Sequence, residues 1–260
     1  MSLVWAALLA TLLSLGACGT NGGQQMCGAD HCGLQGHTVV KWTFDAYPAW
    51  LFPMDSCVDF GVVKVRVDAQ AADGTVVTQI EDCGVAQSTF DGLAENQPYT
   101  MFVEPEALDL TPLVAAPTTV AVNAGAYQAD TTVTANIPWM SWIGTFTGTY
   151  LFRVSWGGMG CAAAGVDTQV ITLAVNGTVV SATADNGQKL DGTDPKPCYD
   201  IMQQFPQSAT GVPFGPAELT VDGYGSGSGS GTPIYSKTFD TFVGAGITNP
   251  TITYDVPPPT

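Results

Sequence analysis

One compound pattern occurs twice in this chain and sets the frame for any fold it adopts. The first half carries Cys57-Val58-Asp59-Phe60-Gly61-Val62, then an alternating apolar run, then Asp73-Gly74-Thr75-Val76-Val77, and then Cys83. The second half carries Cys161-Ala162-Ala163-Ala164-Gly165-Val166, a similar run, Asn176-Gly177-Thr178-Val179-Val180, and then Cys198. A Trp-containing strand precedes each copy, at Trp42 and at Trp156. A pattern repeated in this order marks a duplicated unit. Asn-Gly between alternating apolar runs is a hairpin signal, because both central residues of a type I′ turn need positive φ. The expectation is two tandem units meeting near Pro138–Phe146.

From Thr38 onward the texture is all-β, with Val-, Thr- and aromatic-rich runs alternating with Gly, Pro, Asn and Asp clusters. Strands are expected at 38–44, 62–68, 75–80, 99–103, 118–123 and 131–137. Further strands are expected at 149–156, 169–175, 178–183, 218–222, 234–239 and 251–255. No helix is expected beyond a single turn at 200–205. The chain has 260 residues and 45% hydrophobic content, enough to fill the cores of two small units.

Ahead of these units, residues 3–15 form an almost unbroken apolar run. It is too short to span a bilayer, which takes about 20 residues, and has the length of a signal-peptide core. The run ends in Leu15-Gly16-Ala17-Cys18. This resembles the lipobox of bacterial lipoproteins: an aliphatic residue, two small ones, then cysteine. The resemblance implies cleavage before Cys18 and acylation of its thiol. It also implies a membrane anchor by lipid, and, with no Asp after the cysteine, transfer to an outer membrane, facing periplasm or exterior. Residues 1–17 are then the signal peptide. Residues 18–36 form a lipidated tether with a small cysteine loop, 37–140 the first β-sandwich and 141–260 the second.

With Cys18 set aside as lipidated, six of the seven cysteines remain, which suits an oxidising compartment. The arms of a hairpin return to one end, so cysteines flanking it meet there. That pairs Cys57 with Cys83 and Cys161 with Cys198, and leaves Cys27 with Cys32.

Thr89-Phe90-Asp91-Gly92-Leu93 followed by Tyr99 resembles the corner of fibronectin type III and related immunoglobulin-like sandwiches, where a Leu and a Tyr lock the chain. A worn form runs from Gly211-Val212 to Leu219. The cysteines flank a hairpin, unlike those of antibody domains. The fold class implied is therefore all-β, two tandem immunoglobulin-like sandwiches.

Composition narrows function by exclusion. The 23 acidic residues against seven basic ones give a net charge of −16, and the bases are scattered. Such a surface repels phosphate backbones, which excludes nucleic acid as a partner. His31 and His37 are the only histidines, both near the tether, and no nucleophile elbow, zinc-protease or phosphate-loop motif occurs. Cys27, His31, Cys32 and His37 read as a disulfide loop with two histidines in preference to a metal set, since adjacent His31 and Cys32 do not easily share one tetrahedral ion. Asp185, Asp191, Asp194 and Asp200 form the one candidate oxygen-rich loop for calcium, although Asp also initiates turns on its own. Trp42, Phe44, Tyr47, Trp50 and Phe52 read as core, with a ligand platform as the functional alternative. Gly225–Gly231 reads as a flexible loop. No catalytic, metal or cofactor residue is assigned. The expected role is a non-catalytic surface binding or structural module with an unidentified envelope protein or glycan as partner. The rival is an envelope-polymer hydrolase using carboxylates or a metal.

Overall fold

The computed structural model describes residues 19–21, 24–26, 35–125, 129–143, 146–199, 205–245 and 249–258. Cys18, Cys27, Cys32, His31 and Asp200 lie outside them, as does most of the turn expected at 200–205.

The first half contains β1 (Gln35–Phe44), α1 (Pro53–Asp59), β2 (Lys64–Ala71), β3 (Val76–Asp82), β4 (Gln87–Ala94), β5 (Pro98–Glu106), β6 (Thr118–Asn123) and β7 (Asp130–Ile137). The second contains β8 (Thr147–Trp156), α2 (Cys161–Ala164), β9 (Thr168–Val175), β10 (Thr178–Val179), β11 (Gln207–Pro213), β12 (Gly215–Tyr224), β13 (Tyr235–Val243) and β14 (Thr251–Val256). Sheet order in the first half is β4-β1-β7 against β3-β2-β5-β6. In the second half it is β11-β8-β14 against β10-β9-β12-β13, the same order shifted by seven strands, with one addition: the two-residue strand Lys196–Pro197 also pairs with β9. The duplication legible in the sequence is thus a duplication of topology: two β-sandwiches in tandem. In each, the first strand lies parallel to the last, β1 with β7 and β8 with β14.

Three strands of the sandwiches, β4, β11 and the short Lys196–Pro197, were not expected, and the 178–183 strand shortens to β10. A short antiparallel hairpin joins Gly19–Asn21 to Gln24–Met26, within the stretch read as a tether. The larger correction is α1. The repeated Cys-x-x-x-Gly-Val is a helix ending. Gly61 N–H donates to Val58 O and Val62 N–H to Cys57 O, at 3.0 and 2.8 Å. In α2 the same two bonds run from Gly165 to Ala162 and from Val166 to Cys161. This is the Schellman arrangement, and the glycine takes the left-handed conformation it requires, φ 68° at Gly61 and 70° at Gly165. No described helix is long and apolar enough to cross a membrane.

Disulfides join Cys57 to Cys83 and Cys161 to Cys198. Each pins a helix to the chain beyond the hairpin, and each has the tryptophan of its sandwich's first strand against it. Trp42 Nε1 donates to Cys83 O at 3.3 Å, and Trp156 Nε1 to Cys198 Sγ at 3.2 Å. Ala94 N–H donates to Tyr99 Oη at 3.0 Å while Leu93 is buried, so that corner is locked. The Asn176-Gly177 turn has positive φ at both residues, 52° and 74°. Gly225–Gly231 is tied down: Thr168 Oγ1 donates to Ser226 O at 2.6 Å, and Gly229 packs so closely on Pro195 that a β-carbon there would overlap it.

Strand directions make the arrangement head to tail. β1 runs from the tether end to the junction, and β8 runs from the junction to the far end. The loops after β1, β3 and β5 therefore face the turns of the second sandwich. One continuous core crosses between them. Phe60 stacks on Phe44 and on Phe242, with centroids 4.6 Å apart in each case, and meets Phe214 edge-on at 5.4 Å. Trp142, from the connecting segment, caps the cluster at 4.8 Å from Phe60 and donates Nε1–H to Phe60 O at 3.1 Å.

Candidate binding pocket at the junction

The segment after β1 divides its aromatics between core and surface. Trp42 and Phe44 sit at the end of a strand with alternate residues inward, and both are buried. Tyr47 lies beyond the strand, and its hydroxyl donates to Asp59 Oδ2 at 2.7 Å. Trp50 is half exposed; its Nε1 donates to Asp240 O in the second sandwich at 2.7 Å, and its ring meets Tyr254 edge-on. Leu51 turns inward, while Phe52, 77% exposed, heads α1.

Between this segment, α1 and the Cys57–Cys83 disulfide lies a cavity of about 300 Å³. Its walls are Trp42, Thr43, Phe44, Tyr47, Pro48, Ala49 and Leu51 together with Ser56, the disulfide, Gly84 and Ala86. No carboxylate, histidine or lysine contributes to the wall. Exposed Phe52, Val58 and Val85 are each close in sequence to wall residues. An apolar hollow of this kind takes an apolar group by burial and offers it few polar partners.

Asp59 stands behind this wall. It is 2% exposed, its backbone oxygen accepts from Ala245 N–H of the second sandwich at 2.6 Å, and any β-carbon on Gly244 would overlap its carboxylate. Burial, reinforced by the charge of Asp55, pushes its carboxyl up to about 7, against a pull downward from the Tyr47 hydrogen bond. Tyr47 is itself raised, first by burial and then by Asp59. A second hollow of about 430 Å³, lined in part by Tyr47, Asn176, Glu218 and Asp240, opens between the sandwiches. Deeper in the second sandwich, the Tyr254 hydroxyl hydrogen-bonds Tyr150 at 2.5 Å and also Thr241.

The other residues singled out by sequence that lie among the described residues do not converge. Asp191 Oδ1 accepts from Thr193 N–H and Oγ1–H, which hold its carboxyl below the usual carboxylate range. Asp185 Oδ1 accepts from Ser208 N–H, and Asp194 pairs with Lys196 at 3.3 Å. Among the described residues no three His, Cys, Asp or Glu side chains are grouped to hold a metal. His37 bridges Asp91 at 3.1 Å and Asp130 at 2.8 Å, tying β1 to both neighbours at the end of β1 remote from the pocket. Sequence reading missed Asp59 as a special acid. Its only signal was its place in the repeat, where the second copy has Ala163.

Fold and site together define a class: tandem β-sandwich proteins with an uncharged hollow beside a disulfide at the joint. No protein-family model matches this chain, and no curated protein does. Among solved structures it is similar to a proposed adhesin from Bacteroides ovatus, at 10% identity and TM-score 0.30, over 78% of this chain and 77% of that one. It is similar to the shaft pilin spaA from Lactobacillus rhamnosus GG, at 9% identity and TM-score 0.29, over 87% and 98% of the two chains. The fimbrial anchor protein Mfa2 from Porphyromonas gingivalis gives 9% identity and TM-score 0.25, over 81% and 99%.

Proposed function

We propose that this chain is a non-catalytic, lipid-anchored envelope protein, acylated at Cys18, that acts as a surface binding or structural module. It holds its partner, an envelope protein or glycan, partly through the hollow at Cys57–Cys83. The observation that carries the reading is the hollow itself: it is walled mainly by aromatic, aliphatic and disulfide atoms, with Thr43 and Ser56 also lining it, and no carboxylate, histidine or lysine contributes to the wall. His37 sits at the opposite end of β1, close to the carboxylates of Asp91 and Asp130. The anchor rests on the Leu-Gly-Ala-Cys segment, and the outer membrane on the absence of Asp after Cys18.

One observation favours the hydrolase alternative: Asp59 has the raised pKa of a general acid. Its carboxylate, however, is sealed between the sandwiches behind Tyr47 and is not part of the wall. The deciding experiment has two arms. Capture of a defined envelope component by the purified protein should be lost in Ala49→Trp, which fills the hollow. Turnover of peptidoglycan, glycan or ester substrates should be absent. Turnover abolished by Asp59→Asn, or by joint replacement of Asp191, Asp194 and Asp200 with Asn, would overturn the reading. Labelled fatty acid should enter the wild type and not Cys18→Ser.

A further inference from the structure

Among the described residues the outer edge of β3 is unpaired. β3 pairs with β2 along all seven of its residues without a bulge, and among the described residues nothing pairs with its other side. Long edge strands are ordinarily blunted by proline, lysine, a bulge or shortening. Val76-Val77-Thr78-Gln79-Ile80-Glu81-Asp82 has no proline, lysine or bulge, and its charged residues are confined to the last two positions. The second sandwich supplies the contrast. There β10 has only two residues, and the following chain folds back on β9, with Leu173 N–H donating to Leu190 O and Gly192 N–H to Ile171 O.

The ladder fixes which groups are free. Ala71 N–H donates to Thr75 O and Cys83 N–H to Val63 O, so odd-numbered positions around β3 face β2. Alternation in an antiparallel pair then turns the N–H and C=O of Val76, Thr78 and Ile80 outward. Their side chains lie on the solvent face, with Val76 47% and Ile80 44% exposed. Beside the edge, charge is paired: Lys64 meets Asp82 at 2.5 Å and Arg66 meets Asp68 at 3.1 Å, while Glu104 and Glu106 lie on β5, one strand farther from the edge.

We infer that β3 is a self-pairing surface: two copies of this chain join edge to edge, antiparallel, about a two-fold axis at Thr78. The strand is complementary to itself in this register. Val76 faces Ile80 of the second copy, Thr78 faces Thr78, and Ile80 faces Val76, all three with outward main-chain groups in hydrogen-bonding phase. Glu81 and Asp82 then fall opposite Thr75 and Gly74, so no like charges are directly opposed. Moving the axis to Gln79 sets Val76 against Asp82 and loses both Val–Ile contacts. The two four-stranded sheets become one of eight strands. An isologous contact of this kind closes on itself and makes dimers, not fibres. The net charge of −16 on each copy opposes approach at long range, so added salt strengthens the dimer.

Sedimentation of the purified full chain over a range of concentrations and sodium chloride levels tests this. The expected result is a monomer–dimer equilibrium that tightens with salt and weakens about tenfold in Ile80→Lys. Thermal melting of the Ile80→Lys monomer should be unchanged, since the residue is on the solvent face. Mild oxidation of Thr78→Cys should give a cross-linked dimer, whereas Thr238→Cys, on exposed β13, should not. A monomer under all conditions, a dimer indifferent to Ile80→Lys, or equal cross-linking at both positions would overturn the inference.

Discussion

Asp59 gives this molecule a pH dependence with an unusual sign. Most carboxylates in folded proteins are stabilised in their charged form and lose that stabilisation in acid. Here the folded-state value is about 7 and the ordinary one 3.8, so the native state holds a proton that the unfolded chain releases. Stability from this group is fully present below about pH 4 and is lost as pH rises to 7, by at most about 4 kcal/mol. Urea midpoints measured from pH 4 to 8 should fall across that window in the wild type. In Asp59→Asn, which keeps an acceptor for the Tyr47 hydroxyl without the charge, the slope should flatten. Tyr47→Phe removes the one contact that pulls the value down, and should move the loss to higher pH.

Both helix ends depend on a glycine with left-handed φ and open space around it. Gly61→Ala and Gly165→Ala therefore incur only the backbone penalty, about 1–2 kcal/mol each, and asparagine there should lose less. Chemical denaturation of the four variants checks this. Joint replacement of Cys57 and Cys83 by serine should cost about 3–4 kcal/mol, because the bond closes a loop of 26 residues in the unfolded chain. The same residues show what could be read in advance. Strand runs such as 118–123 and 169–175 announced themselves by alternation, and the partners of Cys57 and Cys161 followed from hairpin return. The Cys-x-x-x-Gly-Val repeat was visible but its meaning was not, because seven- and four-residue helices carry no amphipathic period to detect. β4 and β11 were missed because Gln, Ser, Gly and Ala weaken their alternation. The hollow was legible only as an aromatic run, since strand parity, a loop and a disulfide from three separate stretches build it. Asp59 took its character from the second sandwich, more than a hundred residues away in the chain.

The shared aromatic cluster couples the two sandwiches. Phe60 touches rings from both, so Phe60→Ala should cost about 3–5 kcal/mol. Calorimetry should show one transition for the wild type and two for this variant, as each sandwich is left to melt on its own core. A last consequence concerns load. Each sandwich has its entering and leaving strands side by side and parallel, paired from His37–Asp130 to Phe44–Ile137 in one and from Leu151–Thr251 to Trp156–Val256 in the other. Tension drawn through such a pair from opposite ends slides the strands past each other, so every rung resists together instead of parting one at a time. Anchored at one pole and pulled at the other, the molecule is geared as a rope clamp in series with a second clamp. Single-molecule stretching from residue 35 to residue 256 should show abrupt high-force ruptures. Turning a pair into a zipper, by pulling apart residues 37 and 130, which face each other at one end of β1 and β7, should release the chain at a much lower force.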